Sequence, residues 1–287
     1  MTCPQLAVLA DPADDAALRD AAAQLAERLA LPDATTGAQP PAGIDMLVLV
    51  TPRGLALHAI RGPEALTRGK PVRIDLQHLD TTTGHGRSLR QPLMRAVGLR
   101  KGDPHRPTLL DATAGFGEDA WLLACAGCRV RALERHPVIA ALLADAIERA
   151  KAQPNAPDPA PMIDVIVADS RALLAELANA RGSGAPDRNP VAHELPEVVY
   201  IDPMFNPGRK AAQRKAMLVL GALVGTDRDA DALLEPARQA ALRRVVVKRA
   251  RRAPFLADTP PAASHTGRSV RYDVYPSAGP TSLTGES

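Results

Sequence analysis

Thr108-Leu109-Leu110-Asp111-Ala112-Thr113-Ala114-Gly115-Phe116-Gly117-Glu118-Asp119-Ala120 is the stretch that decides the fold. Leu109 and Leu110 end a strand, the glycines make a tight turn where backbone can approach a ligand, and a helix follows from about Glu118 to Ala126. Strand, glycine-rich turn and helix, in that order, open a nucleotide-binding α/β fold. Gly115, Gly117 and Ala120 match the G-x-G-x-x-G/A spacing, which many unrelated turns also match. Asp111 is more telling. It lies four residues before the first glycine and suits a cationic amine, such as that of a methionine moiety.

Working outward, Cys128 to Leu133 reads as the next strand and ends in Glu134, a carboxylate placed to accept both hydroxyls of a ribose. A helix is expected over Val138–Ala150. Met162 to Val167 is a strand followed by Asp169, which can hold an adenine amino group, cap the helix expected over Arg171–Ala178, or do both. Val198-Val199-Tyr200-Ile201 is a buried strand that stops at Asp202-Pro203, with Met204 and Phe205 next. An acid, a proline carbonyl and an aromatic ring at a strand's carboxyl end can grip a planar exocyclic amine and stack on the base that carries it. That set fits methylation of a nucleobase amino group. Strands starting near 108, 128, 162, 197, 244 and 269 alternate with helices, except between the last two. The expectation is an α/β, Rossmann-like class I methyltransferase fold, with a mainly parallel sheet and an antiparallel last strand at its edge.

Before this domain lies a small α/β subdomain over residues 1–78, read from strands at 6–10, 46–50, 55–59 and 72–76 and a helix over 16–30. The methyltransferase domain spans 79–287, with the tail 276–287 expected to be disordered. The connection, residues 80–102, is basic through Arg87, Arg90 and Arg95, and Ser88 is placed to cap a helix running to about Val97.

Composition sets outer bounds. With 46% apolar and 23% charged residues, the chain is globular in type, and no apolar run approaches the ~20 residues of a membrane span. The three cysteines give no disulfide framework, so the cytoplasm is the expected location. Cys125 and Cys128 form a lone C-x-x-C best read as packing, and no metal is called for. Net charge is +3, yet the basic side is 29 Arg to 6 Lys, a bias suited to phosphate forks.

Several stretches together resemble one family. They are Leu110 to Ala120, Arg129 to Arg135, Val199 to Phe205, Leu233 to Arg238 and Arg244 to Arg249. The family is the bacterial ribosomal RNA small subunit methyltransferase J, and the similarity runs from about 72 to 275. It implies methyl transfer from S-adenosylmethionine to the N2 of a guanine in 16S rRNA, with 16S rRNA or the small ribosomal subunit as partner. It also implies cofactor contacts at Glu118, Asp119, Glu134, Arg135, Asp169, Ser170 and Asp202, to which the residue-level reading adds Asp111, Gly115 and Gly117. Where the family commonly has Arg after the second glycine this chain has Glu118, which favours a backbone role there. The expected chemistry lies with Asp202, Pro203 and Phe205. Arg87, Arg90, Arg209, Lys210, Arg214, Lys215, Lys248, Arg249, Arg251 and Arg252 are candidate RNA contacts. Rival readings are the same fold acting on adenine N6 in DNA or on a protein glutamine amide, a nicotinamide-dependent oxidoreductase, and a non-catalytic RNA-binding module.

Overall fold

Asp15 starts the first helix: its carboxylate accepts from the Leu18 N–H at 3.1 Å and caps α1 (Ala16–Leu29). This helix joins β1 (Leu6–Ala10) to β2 (Met46–Thr51), which pair in parallel with Leu6 opposite Met46. β3 (Gly54–Ala59) returns antiparallel to β2 through a Pro52-Arg53 turn, giving the order β1-β2-β3. The middle strand is buried from Met46 to Val50, as its unbroken apolar run requires. Ala7, Ala34, Ile44, Leu47, Leu49 and Ala56 form the core on this sheet. A short helix, α2 (Glu64–Thr67), follows.

The strand expected at 72–76 is reduced to one bridge. Val72 and Leu57 exchange both backbone hydrogen bonds, at 2.7 and 2.8 Å. Pro71 has no N–H to extend the ladder, and the Arg73 side chain turns to Thr51 and Gly54.

The rest of the chain supplies α3 (Pro92–Val97), β4 (Thr108–Asp111), α4 (Glu118–Cys125), β5 (Arg129–Glu134), α5 (Pro137–Lys151), β6 (Ile163–Val167), α6 (Ser170–Ser183), β7 (Val198–Ile201), α7 (Lys215–Val224), α8 (Leu234–Ala240), β8 (Arg244–Ala250), β9 (Ala263–Thr266) and β10 (Val270–Pro276). Seven strands form one sheet in the order β6-β5-β4-β7-β8-β10-β9. β4 to β8 run parallel, and β10 is antiparallel to β8, so the Rossmann-like methyltransferase fold is present with its reversed strand. That strand is not the edge. β9 pairs outside it, and its short, polar and largely exposed Ala263–Thr266 carries no hydrophobic pattern to announce a strand. Ser88 does not cap α3: its hydroxyl accepts from Arg90 N–H in a turn before the helix, which begins at Pro92 behind Gln91.

This computed structural model describes all residues except 1–3, 38–41, 85, 87, 184–193, 204–214, 225–229 and 280–287, and at 183, 215, 216 and 220 only the backbone. Two compact units result. The first is Met1–Gln77 with His136–Pro154 and Phe205–Thr226; the second is His78–Arg135, Asn155–Met204 and Asp227–Ser287. The first unit thus takes in α5 and α7 besides the N-terminal stretch. Asp145 of α5 accepts from Leu55 N–H at 3.0 Å, and Arg149 donates to the Ile74 carbonyl at 2.7 Å. Among the described residues no helix is long and apolar enough to cross a membrane.

Candidate active site

The site is built on the carboxyl ends of four neighbouring parallel strands of the second unit. In sheet order these ends carry Asp169 after β6, Glu134 on β5, Asp111 on β4 and Asp202 after β7. The segment after β4 ties them together. Ala112 N–H donates to the Tyr200 carbonyl at 2.9 Å, Ala114 N–H to Leu133 at 2.9 Å, and Asp202 N–H to the Thr113 hydroxyl at 2.6 Å. The Ser170 hydroxyl donates to the Ala112 carbonyl. Gly115 and Gly117 both sit at positive φ, +52° and +69°, which a side chain would strain. The turn they make delivers Gly115 N–H to Glu134 Oε2 at 3.1 Å and starts α4.

Each acid has a distinct environment. Asp111 is buried and accepts from Thr113 N–H at 3.0 Å. Burial pushes its carboxyl up to about 8, against the pull of that hydrogen bond. Asp169 caps α6 by accepting from Arg171 N–H at 2.9 Å, and the Arg171 side chain holds its carboxyl below the ordinary value. Glu118 and Arg135 are exposed, and Glu118 lies 3.7 Å from His78. Two acids in the first turn of α4 complement the helix dipole.

Asp119 and Asp202 share a cation that the sequence reading placed elsewhere. Lys248 Nζ lies 2.7 Å from Asp119 Oδ2 and 2.9 Å from Asp202 Oδ2, and the Tyr200 hydroxyl also donates to Asp119. Side-chain exposure is 24% for Lys248, 13% for Asp119 and 39% for Asp202. Burial alone would lower the Lys248 ammonium; the two carboxylates more than reverse this and hold it well above the ordinary lysine value. Burial pushes Asp202 up to about 6, with Lys248 pulling it down. Tyr272 stands opposite Lys248 across the β8–β10 ladder.

Two expected RNA contacts are corrected here. Lys248 is committed to carboxylates, and Arg249, 4% exposed, donates from Nε and Nη2 to the Pro254 carbonyl at 3.0 and 2.8 Å. Arg90, Arg251 and Arg252 are exposed. Arg87, Arg209, Lys210, Arg214 and Phe205 lie outside the described residues, and Lys215 opens α7. Pro203 is buried beside Asp202. Reading the sequence missed Tyr200, Thr113 and the true place of Lys248. A signal for the last was present: a cation directly after Val245-Val246-Val247 in a strand flanked on both sides needs a partner. Cys125 and Cys128 are both free, and burial pushes each thiol up to about 12.

A family model described as "Putative SAM-dependent methyltransferase" matches residues 42–277. Two relatives are named ribosomal RNA small subunit methyltransferase J. The one from Pseudomonas paraeruginosa is 41% identical over 278 residues, 95% of either chain. The one from Thioalkalivibrio sulfidiphilus is 38% identical over 263 residues, 90% of this chain and 93% of the relative. A crystal structure of a SAM-dependent methyltransferase from Neisseria gonorrhoeae superposes with a TM-score of 0.65 at 30% identity, covering 98% of this chain and 99% of that one.

Proposed function

Since the chain belongs to the ribosomal RNA small subunit methyltransferase J family of SAM-dependent methyltransferases, we propose that it methylates the exocyclic N2 of a guanine in 16S rRNA. S-adenosylmethionine, the family's cofactor, supplies a methyl group already activated on a sulfonium. The observation that carries the reading is the row of acids Asp169, Glu134, Asp111 and Asp202 along adjacent strand ends. Their order suits an extended cofactor: an acceptor for an adenine amine, one for ribose hydroxyls, a buried acid for an ammonium, then the acid that meets the substrate. Gly115 and Gly117 let the backbone come close, and Ser170 and Asp119 brace the same turn and helix.

The protein's own work is positioning, which can supply roughly 7–11 kcal/mol of a barrier in favourable cases. A guanine N2 lone pair is delocalised into its ring and attacks poorly. Asp202 and the Pro203 carbonyl accept the two amine hydrogens and draw that lone pair out of conjugation. Thr113 takes the Asp202 N–H, and Lys248 holds the Asp202 carboxylate, so the acceptor is fixed before the base arrives. Phe205 supplies the ring against the base. After transfer the nitrogen sheds a proton to Asp202 and on to water. The base must be unpaired or turned out of its stack to reach this acid.

Labelled methyl transfer to small ribosomal subunits, naked 16S rRNA, duplex DNA and protein tests the substrate, with mapping of the modified base. Label on 16S rRNA at a guanine N2 is expected; label on DNA or on a glutamine side chain overturns the assignment. Asp202→Ala should abolish transfer while the cofactor is still bound. Turnover within a few fold of the parent removes Asp202 from the chemistry.

A further inference from the structure

The first unit holds a cleft of about 640 Å³ at the carboxyl ends of its parallel strands β1 and β2, where α/β sheets take ligands. Asp11 follows β1 and closes on β2 through its N–H to the Val50 carbonyl at 2.9 Å. Thr51 and Arg53 come from the β2–β3 turn, and Lys70 and Arg73 from the segment after α2. Arg73 is anchored, its Nη2 donating to the Thr51 hydroxyl at 2.8 Å and the Gly54 carbonyl at 3.4 Å. Its Nε is buried and makes no hydrogen bond among the described residues, a donor left unused. The Arg53 guanidinium is exposed and pairs with no carboxylate among them.

We infer that this cleft binds the phosphate backbone of the RNA substrate, anchoring it through residues outside the methyl-transfer set. The inference rests on the rRNA reading above. Three cations line the cleft and no aromatic ring does, so it offers phosphate contacts rather than a stacking platform for a base. Asp11 is the one acid among the described lining residues, and it suits the hydroxyl of a ribose, which separates RNA from DNA. Burial lowers the Arg73 guanidinium, with Arg53 and Arg149 adding to that and the carboxylates of Asp145 and Asp75 opposing it.

The test is binding of end-labelled 16S rRNA to the full chain across a salt series. The variant Arg53→Gln with Lys70→Gln is compared with Arg28→Gln and Arg61→Gln, exposed positions outside the cleft. The cleft variant should bind about tenfold more weakly and lose about 0.7 from the log–log salt slope for each contact removed, with melting temperature and S-adenosylmethionine affinity unchanged. The control pair should keep most of the parent's affinity. Equal losses in both pairs, or an unchanged slope in the cleft variant, overturn the inference. So does saturable binding of AMP that the cleft variant loses while its RNA affinity stays. Because the readout is RNA binding, failure here is distinct from failure of the methylation assay: a chain that methylates 16S rRNA with cleft-independent affinity loses this inference alone.

Discussion

Lys248 is the cation that Asp119 and Asp202 share. Without its ammonium, Asp119 and Asp202 become like charges with no cation between them. Lys248→Met should lower kcat on the order of a hundredfold, the scale of a misplaced reacting group, and Lys248→Arg should recover part of it. The sign of the pH effect follows. Removing a cation raises a carboxyl pKa, so if Asp202, raised to about 6, sets the acid limb of kcat, that limb should move to higher pH. A limb that stays put would show that Lys248 does not tune Asp202. Asp111 makes a second case. Raised to about 8 by burial, it holds its proton near neutrality, and in the proposed reading it ionises against the cofactor's cationic amine. Below pH 8, S-adenosylmethionine affinity should therefore rise with pH by up to about tenfold per unit, with proton release in calorimetry, and Asp111→Asn should flatten that dependence. The same shift acts on folding. The folded state holds this proton more tightly than the unfolded one, so the stability it contributes is full below the ordinary carboxylate range. That contribution drains away as pH rises toward 8, and Asp111→Asn should remove this slope from a plot of melting temperature against pH.

The elements depend on a few cross-links at their ends. Thr113 accepts the Asp202 N–H, joining the loop after β4 to the end of β7. Thr113→Val keeps the shape and removes the acceptor. It should cost about 1–3 kcal/mol in urea unfolding and lower turnover together with stability. In the first unit, Gly54 sits at φ +92°, and a Cβ there would overlap Arg149 Nε and lie 2.6 Å from Asp145 Oδ2. Gly54→Ala should destabilise by roughly 1–3 kcal/mol, because both the backbone and the Asp145–Arg149 ion pair must shift. Most strands were legible in the sequence because they are apolar runs between turn residues: β1 and β7 fall where Leu6–Ala10 and Val198–Ile201 predict. β9 was hidden because its stability comes from pairing with β10 rather than from its own residues. The places of Asp111, Glu134 and Asp202 at strand ends could be read from the sequence. The bonds from Lys248 to Asp119 and Asp202 could not, since they join positions 129 and 46 residues apart.

For the whole molecule, a net charge of +3 and a pI near 8.9 give weak general attraction to RNA, so specific arginines must carry the binding. Arg251 and Arg252 are held on a loop that Arg271 pins by donating to the Arg251 and Ala253 carbonyls at 2.9 and 2.8 Å. Changing both to Gln should weaken 16S rRNA binding and reduce its salt slope by about 1.4, with the slope of the parent as reference. An unchanged slope would take this loop out of the interface.

The first unit draws on residues as far along as Thr226, and this has a consequence for biogenesis. β1, β2 and β3 leave the exit tunnel well before α5, which supplies Asp145 and Arg149 to their turn, and earlier still than α7. Translation therefore releases three strands that can pair with one another but lack the helices, α5 and α7, that complete their unit. A nascent chain arrested near residue 130 should be protease-sensitive in this region, and one arrested beyond α7 should be resistant.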